Sequence, residues 1–166
     1  WCLAEPGFEN LYPIILSPYG GFISWTHPEN QVRLLALIEV VSLYLPIVTN
    51  KIVVMGSQIG GVGSWFYAET RPDIFSAAIP LSSTYNLISA ETGNARYIET
   101  PTYAIYGGDD TLNPLTDIED WINASKSVGS DITLELVPDL NHLADCKLEV
   151  VLRTKVTDWL INDVWN

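Results

Sequence analysis

Short runs of consecutive apolar residues alternate along this chain with longer stretches whose apolar positions recur at helical spacing. Residues 12–17 (YPIILS), 51–55 (KIVVM), 76–81 (SAAIPL), 102–106 (TYAIY) and 132–137 (ITLELV) each predict a strand. Residues 29–45, 60–70, 116–128 and 148–164 predict helices; the second ends ahead of Pro72 and the third at Gly129. The stretch 29–45 is apolar nearly all round, which predicts a buried helix. Residues 18–28 read as a loop around Gly20-Gly21, and 82–100 as a polar segment with room for one short helix. Strands alternating with helices predict an α/β fold, a doubly wound, mostly parallel sheet with helices on both faces. The continuous apolar strands fit a sheet covered on both sides. Ligands of such sheets sit beyond the carboxyl ends of the strands. The segments just after each strand are therefore the ones to search for chemistry.

Composition narrows the partners. The 166 residues suit one domain, 1–166, with roughly two-thirds of the unfolded surface buried. Hydrophobic residues make up 48% and charged residues 17%, which excludes intrinsic disorder. A net charge of −12 repels phosphate backbones and anionic bilayers, so neither nucleic acid nor a membrane surface is an expected partner. The longest apolar run, 32–48, contains Arg33, Glu39 and Pro46 and does not read as a membrane span. Cys2 and Cys146 make neither a disulfide framework nor a zinc site; a single bridge and two idle thiols both stay open. The start at Trp1 reads as a processed product or a piece of something longer.

After KIVVM comes Gly56-Ser57-Gln58-Ile59-Gly60-Gly61, a strand running through a glycine-flanked turn into a helix. Glycines two before and two after an apex residue let strand and helix approach closely, the pattern of a nucleophile elbow. In that register the apex is Gln58; with Ser57 at the apex the glycine positions would hold Met55 and Ile59. After TYAIY comes Gly107-Gly108-Asp109-Asp110, and after ITLELV comes Pro138-Asp139-Leu140-Asn141-His142. Elbow, then acid, then histidine is the order of an α/β-hydrolase triad. Asp109 competes with Asp110 for the acid position, and spacing to Gly107 and Pro114 favours Asp110.

On these residues the chain resembles the lidless esterases of the α/β-hydrolase superfamily, the group of predicted peptidases and phospholipase/carboxylesterase-like proteins. Residues 53–68 (VVMGSQIGGVGSWFYA) match the family's strand, elbow and helix, and SAAIPLSS matches the family's segment after that helix. The resemblance implies a minimal α/β-hydrolase fold without a cap, with Asp110 as acid and His142 as base. It implies oxyanion donors at the N–H groups of Ile59 and Gly21, with Tyr19 where the family carries a histidine. It implies no cofactor and no metal. It also implies strands ahead of residue 12, so an exposed sheet edge is expected to serve a protein partner or a neighbouring domain.

The departure lies at the nucleophile. A serine hydroxyl activated by histidine attacks the acyl carbon in this family. Gln58 offers a carboxamide whose nitrogen lone pair is delocalised, and it fills space where a substrate carbonyl would lie. The expectation is a catalytically impaired homologue, a pseudoenzyme of binding or structural role in an extracytoplasmic protein. Its ligand would be a small ester, carboxylate or carbonyl compound. The alternative is a carboxylesterase acting on small esters, either an engineered Ser-to-Gln variant or an enzyme in which His142 activates water. The plainer readings are that Asp110 and His142 are loop residues and that His27 is a surface residue. Trp65, Trp121, Trp159 and Trp165 read as core or half-buried aromatics. Trp25 lies in the loop near the expected cleft, where it could stack on a ligand.

Overall fold

A computed structural model describes residues 2–142 and 145–166. Four strands, β1 (Val53–Ser57), β2 (Ala77–Leu81), β3 (Thr102–Gly107) and β4 (Ile132–Val137), form one parallel sheet in the order β1-β2-β3-β4. The helices are α1 (Ala4–Gly7), α2 (Pro28–Tyr44), α3 (Ile59–Thr70) and α4 (Leu115–Ser127). A closing helix over 149–164 interleaves α-helical turns with π-helical stretches at Leu152–Val156 and Leu160–Val164. No helix among the described residues is long and apolar enough to cross a membrane.

The two-residue period of the strands sorts their side chains into two cores. Ala77, Ile79 and Leu81 of β2 and Tyr103 and Ile105 of β3 pack with Phe8, Leu148 and the closing helix residues Leu152, Val156, Trp159 and Leu160. Ala78, Ala104 and Tyr106 face the other way, onto Trp65 and Ala68 of α3 and Ile118 and Ile122 of α4. Each fully buried Leu or Ile contributes roughly 1.5–3 kcal/mol, so the helices on both faces hold the sheet by apolar burial. Pro80 has no N–H for the ladder, and β2 pairs with β3 on either side of it, at Ala78↔Thr102 and Leu81↔Ile105.

The amino-terminal third departs from the sequence expectation in three ways. Residues 12–17 do not form a strand; Tyr12 is 92% exposed, and Ile14 and Ile15 are exposed too. A strand needs a neighbour to pair with, and Pro13 within this segment and Pro18 just after it each remove a backbone donor. Helix α2 forms where expected, with Pro28 at its first position and the His27 imidazole accepting from the Glu29 N–H at 3.2 Å. It is not buried, however: Val32, Val40, Leu43 and Tyr44 are all exposed, and only Asn30 is buried. Periodicity cannot show whether a covering layer exists. Finally, Cys2 and Cys146 are joined, with Cα atoms 5.3 Å apart. The bridge ties α1 to the start of the closing helix, where Phe8 also packs and Glu9 pairs with Arg153 at 3.3 Å.

The long segment 82–100 contains no helix. It holds one isolated antiparallel bridge, Ile88↔Ala95. It is anchored to α3 by a polar cluster in which the Tyr85 hydroxyl donates to Glu69, and Arg96 Nη1 donates to Glu69 Oε1 at 2.8 Å. Arg96 also lies over the Tyr85 ring, 5.7 Å from its centroid.

Candidate functional site

All four strands run the same way, so the segments following them gather at one edge of the sheet. Gln58 follows β1 directly, with φ 51° and ψ −113°. A left-handed backbone at a residue that is not glycine is uncommon and costs on the order of 1–3 kcal/mol. The strand-to-helix turn is held on both sides: the Gln58 N–H donates to Leu81 O at 2.9 Å, and its carbonyl accepts from the Val62 N–H at 3.0 Å. Helix α3 starts immediately at Ile59 with no side-chain cap. The local geometry is that of a sharp elbow presenting its apex above the sheet.

Asp110 lies in the turn after β3 and is buried. One carboxylate oxygen accepts from the N–H groups of Leu112 and Asn113, both at 2.9 Å. The other meets His142 Nδ1 at 2.9 Å and accepts from Asn113 Nδ2 at 3.0 Å. Burial alone would push the Asp110 carboxyl up. The Asn113 N–H, His142, the Leu112 N–H and the Asn113 amide outweigh it, and the pKa lies below the ordinary carboxylate value. The Asp110 anion beside Nδ1 favours the tautomer with its proton on Nδ1, which leaves the Nε2 lone pair free to accept. The two loops are fastened to each other, since the Asp109 N–H donates to Leu140 O at 2.9 Å and the Gly108 N–H to Val137 O at 2.7 Å.

Gln58, Ile59, Val62, Ser82, Ser83, Thr84, Leu112, Asn113 and His142 line a cleft of about 260 Å³. Gln58 and His142 thus share one cavity, with Asp110 bonded behind the imidazole. Tyr19 and Gly21 are not among the lining residues. Tyr19 is exposed, and Gly21 stands in an exposed turn with φ 66°. Their loop is instead secured to α2 and α3: Asn30 Nδ2 of α2 donates to Gly20 O at 2.9 Å, and the Trp25 carbonyl accepts from the Tyr67 hydroxyl of α3 at 3.1 Å. The Trp25 ring packs against Gly20 and Gly63, outside the cleft lining.

Several lining residues were not singled out from the sequence. Asn113 touches both Asp110 and His142, the latter through Nδ2 at 3.1 Å. Its only signal is its place three residues after Asp110. Ser82 and Ser83 lie at the carboxyl end of β2, a position that could have flagged them. Ser82 has φ 43°, a second strained non-glycine residue at this edge. The Ser83 carbonyl accepts from the Tyr106 hydroxyl at 2.7 Å, and burial pushes that phenol up to about 12, keeping it a neutral donor.

No family model matches the sequence, and no curated protein matches it. Solved structures do. A thermostable esterase superposes with a TM-score of 0.64 at 16% identity, over 80% of this chain and 36% of its own. An S-formylglutathione hydrolase from Staphylococcus aureus gives 0.61 at 20% identity, over 80% of this chain and 60% of its own. An acylaminoacyl peptidase from Pyrococcus horikoshii gives 0.63 at 14% identity, over 82% of this chain and 28% of its own. The chain therefore spans less than two-thirds of the length of these structures. It has the α/β-hydrolase fold, in a minimal form with four parallel strands.

Proposed function

We propose that this domain is a catalytically impaired α/β-hydrolase homologue, related to the lidless esterases, that keeps the hydrolase site as a binding cleft. The observation that carries this is the identity of the residue at the elbow. Gln58 stands at the strained apex, where acyl transfer requires an oxygen nucleophile. A carboxamide cannot accept the acyl group, and no proton transfer to His142 changes that. Removing the nucleophile from such a site leaves only the residual rate that binding and the remaining donors provide. The Cys2–Cys146 bond supports an oxidising, extracytoplasmic compartment.

A second role is favoured by one observation, the intact Asp110–His142 contact at 2.9 Å. His142 Nε2 could take a proton from water, the hydroxide add to an ester carbonyl carbon, and the alcohol leave with that proton. The two roles separate in a p-nitrophenyl acetate assay. The binding role predicts the same near-background turnover in the wild type and in His142→Ala. Turnover well above background that disappears in His142→Ala would establish the hydrolytic role instead.

A further inference from the structure

Most polar groups around the cleft are already paired inside the protein. The Gln58 N–H and carbonyl are held by Leu81 and Val62, and the Ser83 carbonyl by Tyr106. Asn113 gives both its backbone N–H and its Nδ2 to Asp110. Two groups remain open. The Gln58 side chain makes no capping bond to α3, and its carboxamide has no hydrogen-bond partner among the described residues. His142 has Nδ1 engaged with Asp110, which leaves the Nε2 lone pair to accept. The cleft therefore offers one NH2 donor and two acceptors, Gln58 Oε1 and His142 Nε2; the Ser82 and Thr84 hydroxyls can adapt to either role. Its lining includes no lysine, arginine or carboxylate among the described residues, and the Asp110 anion lies behind the imidazole. An anionic ligand would find no countercharge there.

Building on the binding role above, we infer that the cleft takes an uncharged primary carboxamide on a short alkyl chain, read by Gln58 and His142 together. One ligand N–H donates to Gln58 Oε1 while Gln58 Nε2 donates to the ligand carbonyl, a reciprocal amide pair. The second ligand N–H donates to His142 Nε2. A primary carboxamide brings the matching set, two N–H donors and one carbonyl. An ester or a tertiary amide has no donor and leaves both acceptors unanswered, and a carboxylate also has none and carries charge. Replacing the nucleophile by Gln58 thus changes which compound the cleft prefers, from one that is attacked at a carbonyl to one that donates. Size and lining set the rest of the molecule. The cleft of about 260 Å³ is smaller than the roughly 300–1,000 Å³ typical of drug-sized ligands. Ile59 and Leu112 line it while 71% and 67% exposed, so a short alkyl chain lying against them and Val62 removes apolar surface from water.

The test is a titration of the whole 15N-labelled chain with four compounds of one chain length: butyramide, N,N-dimethylbutyramide, methyl butyrate and butyrate. The side-chain NH2 signals of Gln58 and the ring signals of His142 report binding, and with two histidines in the chain only His27 has to be told apart. Butyramide is expected to shift both sets saturably, with each of the other three at least about tenfold weaker. Gln58→Met keeps the length of the side chain and removes its polar atoms, and it is expected to weaken butyramide by about tenfold or more. No saturable shift with butyramide, equal binding of any of the other three, or unchanged butyramide binding in Gln58→Met overturns the assignment. The four-compound comparison needs no variant, so it decides even if Gln58→Met does not fold. Turnover of p-nitrophenyl acetate on the same sample separates the two levels. Background turnover without a butyramide shift removes only the carboxamide, whereas His142-dependent turnover removes the binding role on which it rests.

Discussion

Reducing the Cys2–Cys146 bond, or replacing Cys2 with Ser, lowers the melting temperature by about 10 °C, since losing a native bridge costs about 2–5 kcal/mol and each kcal/mol moves a domain of this size by about 2–4 °C. The size of the effect follows from where the bridge lies. Its partners are 144 residues apart in sequence, so the closed loop spans most of the chain and restricts the unfolded state strongly. In the folded state it clamps α1 against the closing helix, where Phe8 enters the core and a Cβ at Gly7 would come within 2.9 Å of Leu152. Calorimetry with and without reductant measures it. An unchanged melting temperature would mean that apolar packing alone holds the amino-terminal segment.

Gly56→Ala is the second large effect, an expected loss of about 3 kcal/mol from forcing extra volume into a packed site. A Cβ at position 56 would lie 2.3 Å from the Gly60 carbonyl carbon and oxygen. These are backbone atoms of the first turn of α3, which cannot move aside without opening the elbow. Gly60 provides the contrast, because a Cβ there meets nothing within 4 Å. Gly60→Ala lies within a helix and is expected to be neutral or stabilising by up to about 1 kcal/mol. Urea denaturation of the two variants distinguishes them. Equal costs would show that the strand and helix are not in the close contact that positions Gln58.

The elements that could be read from the sequence are those whose information is local. β4 was legible residue by residue because Ile132, Leu134 and Leu136 alternate with Thr133 and Glu135 between the breakers Gly129 and Pro138. The elbow was legible from the Gly56–Gly60 spacing around Gln58, although only Gly56 stands where the close approach of strand and helix demands glycine. Asp110 and His142 were found from their places after consecutive strands, since a parallel sheet gathers those ends. What was not legible depends on partners distant in the chain. The apolar residues 14–16 look like a strand, but pairing makes a strand, and they have none. The apolar residues of α2 look like a core, but nothing among the described residues covers Val40, Leu43 and Tyr44. The cysteine pairing needed the chain ends to be brought together. Asn113 and Ser83 belong to no motif, and their places in the cleft emerge only from the fold.

Whether the elbow carries a competent nucleophile is decided by intact-mass analysis after incubation with excess fluorophosphonate. With Gln58 at the apex, the mass of the protein stays unchanged. A stoichiometric phosphonyl adduct would mean that an activated serine hydroxyl serves the His142 imidazole, and the impaired-hydrolase account would be wrong.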